Sequence, residues 1–210
     1  MKYTSIFHPL LFRCALLCLL LYCLPARADG VMARIQETIA KPDMLCGQFE
    51  QKKTLVGMKK PLLSSGRFCV AQDKGIVWHA TKPFDSTIRI TKNEIVQQYQ
   101  GDTTMRMSTE KEPAIQTINR IIFSLIAGDF SPLETYFNVA PAMTKNNWQV
   151  QLSARDAGLR KAIDKVSVAG DQYVKNIQIE EGNGDKTQIV FSAILTGEAA
   201  AATREAAMYE

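Results

Sequence analysis

A chain of 210 residues, 46% hydrophobic and 22% charged, has the composition of one ordinary globular domain with appendages and excludes a disordered polymer. Its formal charge of +4 points towards nucleic acid, but three of its basic residues, Lys2, Arg13 and Arg27, lie in an acid-free N-terminal segment. Without them 22 basic residues face 21 acidic ones, and a nearly neutral chain carries no electrostatic footprint for nucleic acid.

Residues 1–28 read as a secretory signal peptide. Lys2 precedes an apolar run from Cys14 to Leu24, and Ala26-Arg27-Ala28 is a small-residue cleavage site. The run is shorter than the roughly 20 apolar residues a spanning helix needs. The alternative is an anchor that stays uncleaved. Bulky Tyr22 argues against a lipid-modified Cys23. Cleavage after Ala28 removes Cys14, Cys18 and Cys23 and leaves Cys46 and Cys69. In an exported chain two cysteines are expected to join. If the strand near Phe49 pairs antiparallel with the strand near Phe68, Cys46 falls opposite Cys69, and the bridge contributes about 3 kcal/mol. Two buried thiols are the other possibility.

From Asp29, a candidate cap, Val31, Ile35 and Ile39 recur on one helical face until Lys41-Pro42 ends it. A strand through Phe49 leads into a long hairpin connection carrying Lys52, Lys53, Lys59 and Lys60. Such a cluster reads first as a solvated edge that guards a strand, and second as a surface for anionic head groups or an acidic partner. Between Ser64 and Thr91 three strands follow in a row. Phe68 and Val70, Ile76 and Trp78, and Ile88 and Ile90 alternate with the residues between them, the period of a sheet with one apolar face. Ile95, Gln97 and Tyr99 share a face on the next strand, and Met105 and Met107 on the one after it.

Residues 113–127 change period. Pro113 suits a first helical turn, and Ile115, Ile118, Ile122 and Leu125 follow at helical spacing up to Gly128. The helix is apolar around most of its circumference, which predicts burial on more than one side. Ser131-Pro132-Leu133-Glu134 reads as a capping box opening a short helix through Phe137. Strands return with Trp148, Val150 and Leu152, with Val166 and Val168, with Ile177 and Ile179, and, after the turn EGNGD, with Thr187, Ile189 and Phe191. The alanine-rich tail 198–210 has no stripe and reads as loose helix or disorder.

About ten strands and two substantial helices make an α+β chain whose wide sheet must coil. The expected architecture is an incomplete, half-open antiparallel β-barrel with helices covering its apolar interior. Catalytic patterns are missing from the sequence. There is no HExxH, GxSxG or CxxC, and His79, the one histidine outside the leader, falls on the wet face as a solvated strand residue. No cofactor, metal or enzymatic activity is expected.

The motifs FEQKK (49–53), SGRF (65–68), IVW (76–78), KPF (82–84), AGDF (127–130), ETYF (134–137), Trp148 and KNIQIEEGNGDKTQIVF (175–191), in that order, resemble the LolA-type outer-membrane lipoprotein carriers over nearly the whole of residues 29–197. The resemblance implies a periplasmic, monomeric carrier that takes acylated lipoprotein or lipid cargo from an inner-membrane donor to an outer-membrane acceptor. It implies a cavity lined from Phe49, Phe68, Val70, Ile76, Trp78, Ile88, Ile90, Tyr99, Met105, Met107, Ile118, Ile122, Leu125, Trp148, Val150, Ile177, Ile179, Ile189 and Phe191, with the 113–127 helix as its lid. The chain departs from the family pattern ahead of Trp78, where AQDKGIVW stands in place of an Arg-Pro pair. A lipid other than lipoprotein is therefore a second candidate cargo. The same scaffold with a packed interior would instead serve as an interaction or sensor module.

Overall fold

The computed structural model describes residues 27–108 and 113–209, so the signal-peptide reading falls almost wholly outside it. Eleven strands form one antiparallel sheet. In chain order they are β1 Met44–Thr54, β2 Leu62–Ala71, β3 Gly75–Lys82, β4 Ser86–Ile90, β5 Glu94–Tyr99, β6 Asp102–Ser108, β7 Phe137–Thr144, β8 Asn147–Ala154, β9 Lys165–Gly170, β10 Val174–Glu180 and β11 Lys186–Thr196. The spatial order is β6-β5-β4-β3-β2-β1-β11-β10-β9-β8-β7. The chain therefore meanders outward from β1 to one edge, crosses to the other edge, and meanders back until β11 pairs with β1. Helix α2, Pro113–Ala127, and a 3₁₀ helix, Ser131–Thr135, make the crossing between the edge strands β6 and β7.

Period-two alternation sets which residues share a face. Phe68 stands opposite Trp78 and Trp78 opposite Ile88, while Phe49 stands opposite Phe191. These apolar sets point to the concave side. Strands three places apart in a flat sheet would lie about 14 Å from each other, yet the rings of Trp78 on β3 and Phe191 on β11 have centroids 6.1 Å apart. Strong coiling brings them together, and Gly66 allows part of it. A side chain there would place its Cβ 2.0 Å from the His79 carbonyl oxygen, at a bulge between β2 and β3.

The eleventh strand, β7, was not expected. Its sequence FNVAPAMT carries a proline, which an edge strand tolerates, and its inward positions pair Phe137 with Ala154, Val139 with Leu152 and Met143 with Trp148. The expected capping box does not form either. The Ser131–Thr135 helix has no side-chain cap, and the Asp129 carboxylate accepts a hydrogen bond from the Ser131 N–H. Helix α1, Arg27–Thr38, begins ahead of Asp29, packs on β7 and buries Ile35, and Ile39 just after it is buried too. A short helix α3, Ala157–Ala162, is capped by Asp156.

Two further helices, α4 Gly197–Ala201 and α5 Arg204–Ala207, close the chain. The two helices pack on the convex face of β1, β2, β3 and β11. Beneath them Cys46 and Cys69, opposite each other in register, form a buried disulfide.

Candidate functional site

Beneath α2 the concave face leaves a cavity of about 280 Å³. Its wall contains eight isoleucines (76, 88, 90, 122, 126, 177, 179 and 189) together with Trp78 and Leu125. Gln51 and Thr187 are its polar members. The wall draws on β3 and β4 from one half of the sheet, β10 and β11 from the other, and α2 above. Apart from Gln51 and Thr187, a surface of this chemistry offers only dispersion contact and exclusion of water. Behind it Phe49 stacks on Trp78 at 3.8 Å, and Phe68 meets Phe191 at 4.9 Å. These rings form the floor.

Nine of the sequence-predicted lining residues are in that wall: Ile76, Trp78, Ile88, Ile90, Ile122, Leu125, Ile177, Ile179 and Ile189. The others stand elsewhere. Phe49, Phe68 and Phe191 are buried in the floor. Val70 lines a second cavity of about 400 Å³ beside the C-terminal turn of α2, between Ile39, Leu45, Phe123 and Val174. Trp148 and Val150 are buried in the far half, where Trp148 meets Phe130 edge-on and its indole N–H donates to the Asp171 carbonyl. Met105 and Met107 pack half-buried against the core near one edge. Tyr99 sits at the rim against Phe84, and Ile118 is 43% exposed on the outer side of α2. Periodicity alone missed Gln51, Ile126 and Thr187, although Thr187 and Gln51 share the inward parity of Ile189 and Phe49.

α2 is held loosely for a helix so apolar. Among the described residues its Asn119 side chain reaches the β4–β5 turn, where Nδ2 donates to the Thr91 carbonyl at 3.2 Å. The Asn119 Oδ1 is buried and has no hydrogen-bond partner among the described residues. Gly128, with φ of +71°, ends the helix in a conformation that favours glycine.

The convex face holds a buried charged cluster. His79, expected in solvent, is 2% exposed because the C-terminal helices cover it. Its Nδ1 lies 3.0 Å from Glu205 Oε1 and its Nε2 3.2 Å from Asp85 Oδ2. Both ring nitrogens therefore face a carboxylate oxygen. Glu205, 1% exposed, also accepts from Arg67 Nε at 2.9 Å. Burial pushes the Glu205 carboxyl up, but hydrogen bonds from His79, from its own backbone N–H and from Arg67 outweigh it and hold the group below its ordinary value. The Tyr209 hydroxyl lies 2.8 Å from the Cys69 carbonyl and 3.0 Å from that of Gly75, and burial pushes its phenol up. The cluster fastens the tail, through Glu205, to Arg67 of β2 and His79 of β3. Among the described residues no three His, Cys, Asp or Glu side chains converge as a metal site, and no helix is long and apolar enough to cross a membrane.

No curated protein matches the sequence. Among solved structures, a LolA superfamily protein from Nitrosomonas europaea is similar at 9% identity and a TM-score of 0.45, over 83% of this chain and 95% of that one. A protein from Vibrio parahaemolyticus, provisionally described as an outer membrane lipoprotein-sorting protein domain, is similar at 9% identity and 0.44, over 88% and 99%. A DUF1329 family protein from Desulfovibrio piger is similar at 9% and 0.36, over 85% and 97%. The family model described as outer membrane lipoprotein carrier protein LolA-like matches residues 25–209. With that match running from before the first helix to the last, the chain belongs to the LolA-like family of outer membrane lipoprotein carrier proteins.

Proposed function

We propose that this protein is a periplasmic carrier that shields the acyl chain of a lipoprotein or another lipid and ferries it from an inner-membrane donor towards an outer-membrane acceptor. The observation that carries the reading is the isoleucine-walled cavity under α2. Exposing one sixteen-carbon chain to water costs on the order of 12 kcal/mol, so unaided transfer across an aqueous compartment is negligible. A wall of eight isoleucines supplies the opposite environment, and its lack of fixed polar partners suits hydrocarbon of any length. At about 280 Å³ the cavity is at the small end for ligand sites, so a long chain enters only as α2 withdraws. The helix then acts as a lid that fills the hollow when cargo is absent. Residues 1–28 serve as the export signal and are removed after Ala28, and the carrier works as a monomer. Gln72 and Asp73, where an Arg-Pro pair would stand, favour a lipid cargo other than lipoprotein.

Displacement of a fluorescent fatty acid by palmitate tests the reading. Saturable, displaceable binding is expected, and Ile122→Trp, which fills the cavity, weakens it roughly tenfold, about 1.4 kcal/mol. A wild-type protein that binds no fatty acid, or whose binding ignores Ile122→Trp, rejects the carrier.

A further inference from the structure

One end of the barrel carries nearly all of the exposed apolar surface. β1 runs towards this end and β2 away from it, and the β3–β4 and β5–β6 turns lie there too. Among the described residues eight large hydrophobic side chains are exposed, and six of them (Val56, Met58, Leu62, Leu63, Phe84 and Tyr99) are at this end. Every residue from Val56 to Leu63, VGMKKPLL, is exposed. Solvent-facing aliphatic side chains in such number mark a contact surface.

The projecting hairpin is built to hold them out. The Val56 N–H donates to Asp185 Oδ1 at 2.8 Å, and the Asn183 side chain donates to the other Asp185 oxygen at 2.9 Å. Lys53 pairs with Glu181 at 2.8 Å. The β1–β2 hairpin is therefore strapped to the turn between β10 and β11, so Val56 and Met58 cannot fold back onto the sheet. Around them stand Lys52, Lys59 and Lys60, which make no ion pair among the described residues, and Lys82 follows beside the β3–β4 turn. The acids at this end without an ion pair among the described residues are Asp102, at the β5–β6 turn, and Glu50, in the groove of about 640 Å³ that runs behind the hairpin between Leu63, Pro83 and Val190. The surface is positive and apolar together.

We propose that this end is a membrane-docking face: Val56, Met58, Leu62 and Leu63 enter the interfacial layer of a bilayer while Lys52, Lys59 and Lys60 meet its anionic head groups. Charge complementarity and side-chain type select the occupant. Protein interfaces deplete lysine at their centre, whereas lysine beside exposed aliphatics is the composition of a surface that lies on anionic lipid. The hairpin also adjoins the cavity. Gln51, Ile179 and Thr187, the wall residues nearest this end, lie beside Lys52, Glu180 and Lys186 at the bases of the two strapped turns. Docking would set that end of the cavity against the lipid, a consequence that rests on the carrier reading although the docking itself does not.

Co-flotation of the full mature chain with phosphatidylcholine vesicles, with and without phosphatidylglycerol, tests it. Binding to phosphatidylglycerol vesicles is expected, weakening as salt rises. Lys59→Ser with Lys60→Ser lowers it roughly 30-fold, and Val56→Ser with Met58→Ser lowers it roughly tenfold or more, while both variants bind fluorescent fatty acid in vesicle-free buffer as the wild type does. No flotation with either vesicle, the result an acidic protein partner would give, overturns the proposal. So does flotation that both pairs of substitutions leave unchanged. Failure of fatty-acid binding with intact flotation counts against the carrier and leaves the docking face standing.

Discussion

Removing the carboxylate of Glu205 leaves the Arg67 guanidinium and the His79 ring without the partner that brings them under the tail. Breaking one side of a buried charged cluster is costly, and Glu205→Gln is expected to lower stability by about 2–4 kcal/mol at neutral pH. The pH dependence follows from the direction of its shift. A carboxyl held below its ordinary value stabilises the fold above its unfolded pKa, about 4.3, and that contribution is lost as pH falls through the depressed folded value. Thermal unfolding scans from neutral pH downwards should therefore show the gap between wild type and Glu205→Gln closing below about pH 4. A gap that stays constant would assign the effect to packing. Gly66→Ala probes a different physics. Its Cβ would stand 2.0 Å from the His79 carbonyl, so β3 must shift, and a loss above about 2 kcal/mol is expected in urea unfolding. At this scale the sequence was partly legible. Cys46 and Cys69 announced their pairing through strand register, whereas His79 looked solvated because parity alone cannot reveal a second layer on the wet face. That layer comes from a segment whose alanines show no stripe.

Helix α2 combines an apolar circumference with a poor attachment. The Asn119 Oδ1 is buried without a partner, which costs the closed position about 1–3 kcal/mol. Asn119→Leu removes that penalty at the cost of the hydrogen bond to the Thr91 carbonyl, about 0.5–1.5 kcal/mol, so a small rise in melting temperature and slower fatty-acid uptake in stopped-flow mixing are expected. Faster uptake would contradict a lid held shut by packing. Its spacing marked the helix well, but it did not say which side faces out: Ile118 fits the stripe and is exposed, while Ile126 lines both cavities. The C-terminal helices are the second cover. Tyr209 pins α5 to the Cys69 and Gly75 carbonyls over a disulfide with no exposed surface. Tyr209→Ala should leave the fold intact by circular dichroism and speed reduction of the Cys46–Cys69 bond by dithiothreitol, because access limits thiol attack. β7 escaped notice for a physical reason as well. Small alanines on its outer positions and a proline in its middle blur the alternation that identifies a strand.

For the molecule as a whole, the half-open sheet was legible because period-two alternation is local and survives in nearly every strand. Curvature was inferable only as a necessity of width. Where the rings fill the concave side and where they leave it hollow was not legible, since that depends on contacts such as Phe49 on Trp78 and Trp78 against Phe191 that join strands distant in sequence. The disulfide acts at this scale. It closes a loop between residues 23 apart, and replacing both cysteines with serine is expected to cost about 3 kcal/mol in urea unfolding.

The seam between the first and last strands governs how the polypeptide must come together. β1 to β6 form a sheet from neighbouring pieces alone, and so do β7 to β11, but the halves join only where β11 reaches β1. A nascent chain made from the N-terminus carries β1 as an unzipped border until almost every residue has emerged. Its last stretch, Glu50-Gln51-Lys52-Lys53, then has a task during maturation that the finished protein hides: charge and polarity keep an unsatisfied backbone ladder from recruiting a neighbouring copy before its own strand arrives.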